Sequence, residues 1–183
     1  NLGSLRALLA GRTRGPALTA LLDARLEAEN QNTLLTCVAW RGQADAVRLL
    51  LESGASVGAT TGSDCSALYM ACQKGQLECA QLLLEAGAAV NQAKDDGATP
   101  LFIACYKGHL EVSRLLLEAS AAVNQAEVGG FSPLFVACER GHLEIARLLL
   151  EASAAVNQAR ENGATPLFVA CRKGHLEIAR LLL

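Results

Sequence analysis

Several things are scarce in these 183 residues. Aromatic side chains make up 4% of the chain, with one Trp, two Tyr and four Phe, and there are only four Pro and one Met. No apolar run approaches the ~20 residues that a membrane-spanning helix requires. The segment from Leu2 to Ala10 is interrupted by Arg6 and followed by Arg12 and Arg14, so it lacks the apolar stretch of a secretory signal. A basic excess is missing too: 16 Lys and Arg stand against 18 Asp and Glu, a net charge of −2 that argues against a general nucleic-acid binder. There is no Gly-x-Gly-x-x-Gly, no phosphate-loop pattern, no Cys-x-x-Cys and no Asn-x-Ser/Thr acceptor. No nucleophile–base pair emerges either. An active site, a cofactor and a bound metal are therefore not expected.

Cysteine is not scarce, but its placement removes the usual readings. Cys72, Cys105, Cys138 and Cys171 stand 33 residues apart, as do His109, His142 and His175. Equivalent positions on neighbouring packed helices lie about 8–10 Å apart. A disulfide needs Cα atoms closer than about 7 Å, and metal ligation needs tighter convergence still. The ladder is expected to be buried and reduced, with Cys65, in a loop, as the exposed thiol. An odd number of free thiols, with no glycosylation acceptor, favours a reducing compartment, cytoplasm or nucleus.

What the sequence does have is a 33-residue period. The segments Thr99–Phe131 and Ser132–Ala164 differ at ten positions, and the unit begins again at Thr165. Looser copies begin at Thr33 and Ser66. A fixed period of this length implies stacked supersecondary units, each too small to bury its own apolar face.

Within each unit, Thr or Ser is followed in three copies by Pro, an N-cap and first-turn pair. In the last copy Leu167-Phe168-Val169-Ala170-Cys171 then packs, and Gly174 supplies a left-handed helix end. A second helix starts near His175, with Leu176, Ile178, Ala179, Leu181 and Leu182 expected to face the stack. In the earlier units it ends at Gly54, Gly87, Ser120 or Ser153. A turn-rich stretch follows, as in Asn91–Gly97 and Asn157–Gly163. Each helix spans two to three turns and would be marginal alone.

The pattern Thr-Pro-Leu-Phe-x-Ala-Cys-x-x-Gly-His-Leu-Glu-x-x-x-x-Leu-Leu-Leu-Glu-Ala-x-Ala-Ala-Val-Asn resembles the ankyrin repeat, over about Thr33–Leu183. The resemblance implies an all-α repeat solenoid of helix-turn-helix units joined by β-hairpin finger loops. The expected organisation is an N-terminal helical cap or degenerate repeat at 1–32 and repeats at 33–65, 66–98, 99–131 and 132–164. A partial repeat at 165–183 completes it. The family's usual His is replaced by Thr36, Tyr69, Phe102, Phe135 and Phe168, so aromatic packing is expected in place of a polar ladder. Ser120 and Ser153 stand where Gly is preferred, and a left-handed non-Gly residue costs roughly 1–2 kcal/mol. Finger positions usually held by Asp carry Thr61, Lys94, Glu127 and Arg160, which is expected to weaken bonds between fingers. The apolar Leu181-Leu182-Leu183 leads to the expectation of a longer parent array.

The resemblance implies a non-catalytic protein-binding module, a scaffold or adaptor that uses a concave face of inner helices and fingers. Its partner would be another protein or a peptide segment, with no nucleic acid, no membrane insertion and a monomeric state once capped. The alternatives are a recruiting arm of a larger enzyme and a passive spacer. The repeats differ most at one pair of inner-helix positions and at the finger tips. The pairs are Trp40 and Arg41, Gln73 and Lys74, Tyr106 and Lys107, Glu139 and Arg140, and Arg172 and Lys173. The finger candidates are Asp95, Asp96, Val128, Phe131, Glu161 and Asn162. The second residue of each pair is always basic. That row would suit an acidic peptide or helix; alternatively, each basic residue is expected in the last turn of a helix, where it complements the macrodipole. Trp40, Tyr106 and Phe131 are either binding anchors or packing residues, Phe131 on an adjacent finger and Trp40 on the N-terminal cap.

Overall fold

A computed structural model describes residues 32–183, so the expected cap at 1–32 lies almost wholly outside the described residues. The chain divides into two compact units, Asn1–Ala89 and Val90–Leu183. Among the described residues every regular element is a helix. Helix pairs pack in series within each unit, as an all-α repeat solenoid requires.

In the first unit α1 (Leu34–Trp40) and α2 (Ala44–Glu52) form one pair, α3 (Ala67–Lys74) and α4 (Leu77–Glu85) the next. The inner helices α1 and α3 pack together, as do the outer helices α2 and α4. In the second unit the inner helices are α5 (Pro100–Lys107), α7 (Pro133–Arg140) and α9 (Pro166–Lys173). Their outer partners are α6 (Leu110–Glu118), α8 (Leu143–Glu151) and α10 (Leu176–Leu181). Here α5 packs on α7 and α7 on α9, with α8 seated between α6 and α10.

Local signals set the helix ends. The side-chain oxygens of Thr33, Ser66, Thr99, Ser132 and Thr165 each accept from the backbone N–H three residues on. This satisfies a donor that the helix cannot. The N-termini are thus held by the caps in the absence of the family His. In its place Tyr69 and Phe135 are buried, and Thr36 is buried with its hydroxyl donating to the Thr33 carbonyl at 2.9 Å. Aromatic packing is incomplete, however: Phe102 is half-buried and Phe168 is 54% exposed.

Stacking supplies what such short helices lack. Leu35, Leu50, Leu68 and Leu83 are fully buried in the first unit; Leu101, Leu116, Leu134, Leu149 and Ile145 are in the second. Each such side chain contributes about 1.5–3 kcal/mol through removal from water. The glycines that close α5 and α7, Gly108 and Gly141, have φ of 83° and 78°. They are needed twice over, because the imidazoles of His142 and His175 lie against their Cα atoms where any Cβ would stand.

Three expectations fail. Cys65 is buried: its N–H donates to Thr61 Oγ1 at 3.1 Å and its carbonyl accepts from the Thr61 N–H, which draws the residue into the finger. The exposed thiol is Cys171 instead. Leu176 is 66% exposed, whereas its equivalents Leu110 and Leu143 are half-buried beneath a following helix pair. Nothing described packs over α9 and α10, which accounts for Phe168, Cys171 and Leu176 together. Finally, Arg41 is the residue that caps α1, not part of its last turn.

Candidate protein-binding face

The candidate residues fall into two sets, each placed by a backbone feature. The first set ends the inner helices. In unit one, Trp40 and Gln73 are half-buried while Arg41 and Lys74 are exposed. Lys74 Nζ lies 4.1 Å from the centroid of the Trp40 ring. That is cation–π range, worth about 0.5–1 kcal/mol at an exposed site. In unit two, Tyr106 and Glu139 are half-buried, and Lys107, Arg140, Arg172 and Lys173 are exposed. The Arg140 guanidinium sits 3.9 Å from the Tyr106 ring, Lys107 Nζ lies 5.5 Å from the same ring, and Arg172 reaches Glu139 at 4.0 Å. Within each unit, the later repeat therefore hands a cation back to the aromatic or acidic residue of the one before it.

The second set is the finger tips. Each finger closes on a backbone turn in which the fourth residue donates to the first: Asp64 to Thr61, Gly97 to Lys94, Gly130 to Glu127 and Gly163 to Arg160. All four fourth residues have positive φ, the conformation of a tight three-residue hairpin loop. One side chain per finger then secures the turn. Thr61 Oγ1 accepts from the Ser63 and Cys65 N–H groups, and Asp96 Oδ1 from the Ala98 N–H at 3.0 Å. Glu127 Oε1 accepts from the Phe131 N–H, and Asn162 Oδ1 from the Ala164 N–H. Burial pushes the Asp96 carboxyl up, but hydrogen bonds from Lys94 and the Ala98 N–H outweigh it and hold the group below the usual range. Asp96 and Asn162 thus have a task within their own fingers; they are exposed, as are Asp95, Val128 and Glu161, Val128 at 69%.

The fingers of unit two are also joined to each other. The Val128 N–H donates to the Asp96 carbonyl at 2.7 Å, and Arg160 Nε donates to the Gly129 carbonyl at 3.4 Å. Asparagines set beside the fingers continue the series: Asn91 Oδ1 accepts from the Ala122 N–H and Asn124 Oδ1 from the Ala155 N–H, both at 2.8 Å. Phe131 is half-buried, with its ring edge-on to Phe135 at 5.4 Å and the Arg160 guanidinium 3.5 Å from its centroid. The sequence reading missed Arg160 as a partner of Phe131. The signal was present, because Arg160 replaces Glu127 one repeat after the finger that carries the extra Phe.

A family model described as Ankyrin repeats (3 copies) matches residues 34–127 and 121–183. The chain belongs to the ankyrin repeat family. No curated protein matches it. Ankyrin repeats are generally protein–protein interaction modules and typically non-catalytic.

Among the described residues no three His, Cys, Asp or Glu side chains converge as a metal site requires, and no helix is long and apolar enough to cross a membrane. Burial pushes the Cys105 and Cys138 thiols up to about 12, with the Ser113 hydroxyl moderating the first. At neutral pH neither supplies a thiolate. His142 is held below its ordinary value by burial first, then by Arg140, His109 and His175. His175 Nε2 lies 3.2 Å from the Glu139 carbonyl oxygen, so this imidazole ties two ankyrin repeats together.

Proposed function

We propose that this chain is a non-catalytic scaffold or adaptor that binds a protein partner on the face formed by inner-helix ends and finger tips. One observation carries the reading. Of the ten positions that distinguish Thr99–Phe131 from Ser132–Ala164, four are buried and nearly conservative: Thr99 and Ser132, Ile103 and Val136, Val112 and Ile145, Ser113 and Ala146. The other six are half-buried or exposed. Five of those change chemical class, as from Tyr106 to Glu139 and from Phe131 to Ala164. The buried layer keeps its volume while this one face changes its chemistry.

Further support comes from side-chain type. Half-buried Trp40, Tyr106 and Phe131, each beside a cation, are the kind of residues that dominate interface energies. The repeat boundaries at 33, 66, 99, 132 and 165 are part of the proposal, as are a monomeric state and a reducing compartment. Six of the seven cysteines are buried and none is held in a disulfide, which suits cytoplasm or nucleus.

The test is affinity capture from a native lysate, with mass-spectrometric identification. The chain is compared with a Trp40→Ala, Tyr106→Ala, Phe131→Ala variant whose folding is verified by circular dichroism. Because these rings also pack, a Val128→Asp, Glu161→Arg variant, altered only at exposed tips, runs beside it. A protein retained by the unaltered chain and lost by either variant is the expected result. Equal capture by all three overturns this face.

A further inference from the structure

Every repeat places a basic residue where its inner helix ends: Arg41, Lys74, Lys107, Arg140 and Lys173. The residue just before runs through Trp40, Gln73, Tyr106, Glu139 and Arg172. The first of each pair changes its chemistry from repeat to repeat. The second is exposed in unit two at Lys107, Arg140 and Lys173, and its charge never changes. The helix macrodipole explains part of this, about 0.3–1 kcal/mol per cation. It acts on the whole last turn, however, and Glu139 in the last turn of α7 carries the opposite sign.

In unit two the three cations form a row. Since α5 packs on α7 and α7 on α9, equivalent residues stand about 8–10 Å apart. None of the three makes an ion pair among the described residues. The carboxylate within the row, Glu139, is engaged by Arg172. Beside the row lies an aromatic floor, with Phe102 stacked on Tyr106 at 6.3 Å and 17°.

We infer that the inner-helix ends of unit two bind an acidic protein segment in polyproline II conformation, with a carboxylate at every third residue meeting Lys107, Arg140 and Lys173. The inference rests on the binding face proposed above and specifies its ligand. A polyproline II helix has three residues per turn and rises about 3.1 Å per residue, so every third side chain points the same way at about 9.3 Å intervals. That matches the row. A β-strand presents same-face side chains at about 6.6–6.8 Å and falls out of step by the second rung. An α-helix matches only at every seventh residue, about 10.5 Å, and needs a segment more than twice as long. Arg140 already lies over the Tyr106 ring and keeps its guanidinium edge for a carboxylate, so prolines between the acids would meet the aromatic floor at half-buried Phe102. Duplex DNA carries one charge per about 1.7 Å and has no such register.

Fluorescence anisotropy with the full chain tests this. The probe is a labelled peptide of four Glu-Pro-Pro triplets; the comparators are a peptide of the same length with Glu at every second position and a labelled oligothymidylate. Saturable, salt-sensitive binding of the triplet peptide is expected, weaker by at least about tenfold for the second peptide and for a Lys107→Gln, Arg140→Gln, Lys173→Gln variant. Circular dichroism of that variant shows that its fold is kept. Equal binding by the variant, by the second peptide or by oligothymidylate overturns the inference. If the triplet peptide does not bind while the lysate partner is still captured through this face, the inference falls and the binding-module reading stands.

Discussion

The repeat carrying α5 and α6 and the repeat carrying α7 and α8 have almost the same interior and different exteriors. Inside, Leu101 and Leu134, Leu116 and Leu149, and Cys105 and Cys138 are equivalent and buried. Outside, Tyr106 faces Arg140 while Glu139 faces Arg172, and a finger with exposed Val128 is followed by one with exposed Glu161. The contrast teaches where each kind of constraint acts. Interior positions are bounded by neighbours on both sides, so only a change of about one methyl group is accommodated. Exterior positions have a neighbour on one side and water on the other.

The comparison breaks most easily at its interior. Leu116→Ala and Leu149→Ala each remove a fully buried side chain, and each is expected to cost about 2–5 kcal/mol in urea unfolding. The two values should agree closely, because their surroundings do. A large disagreement would show that the interiors are not equivalent.

The glycine closures come next. Gly108→Ala and Gly141→Ala put a Cβ at positive φ against an imidazole, an expected loss of about 1–2 kcal/mol or somewhat more from backbone strain alone. Running the other way, Ser120→Gly and Ser153→Gly relieve a φ of 64°. Each is expected to stabilise by up to about 1 kcal/mol, the strain relief being offset in part by glycine's unfolded-state entropy. The same denaturation curves measure both, and a loss on Ser→Gly would mean that the serine side chains earn their place by bonding.

The smallest effect concerns pH. His142 has a folded-state pKa below its unfolded value, from burial first and then the positive Arg140 and neighbouring histidines. The unfolded chain therefore binds more protons just below the ordinary imidazole pKa of about 6.5. The stability contributed is complete above that pH and is lost as pH falls toward the folded pKa. His142→Gln should flatten the stability profile between about pH 5 and 7, because Gln76 occupies the equivalent place over Gly42 in the first unit. An unchanged profile would exclude His142 as its source.

How the fold emerged from the sequence is clear at particular residues. The caps at Thr99 and Ser132, the left-handed Gly108 and Gly141, and the strained Ser120 and Ser153 are all local, since each depends on one residue and the conformation of its own backbone. They could be read directly. The candidate face was harder, because variable positions announce exposure without announcing contacts. Trp40 with Lys74, Tyr106 with Arg140 and Phe131 with Arg160 each join residues about one repeat apart, and no local rule ties them.

The period, the helix pairs, the caps and the placement of the apolar ladder were settled by the chain's own order, because they follow from short-range stereochemistry repeated at a fixed interval. The burial of Cys65 and the exposure of Cys171 were decided only in three dimensions. So were the cover over Phe131 and the emergence of Lys107, Arg140 and Lys173 as a row that makes no ion pair among the described residues. Cys65 is drawn in by Thr61 of its own finger; for the others the deciding factor is what the neighbouring repeat lays over the side chain or leaves uncovered, and one repeat's sequence carries no statement of its neighbour's reach.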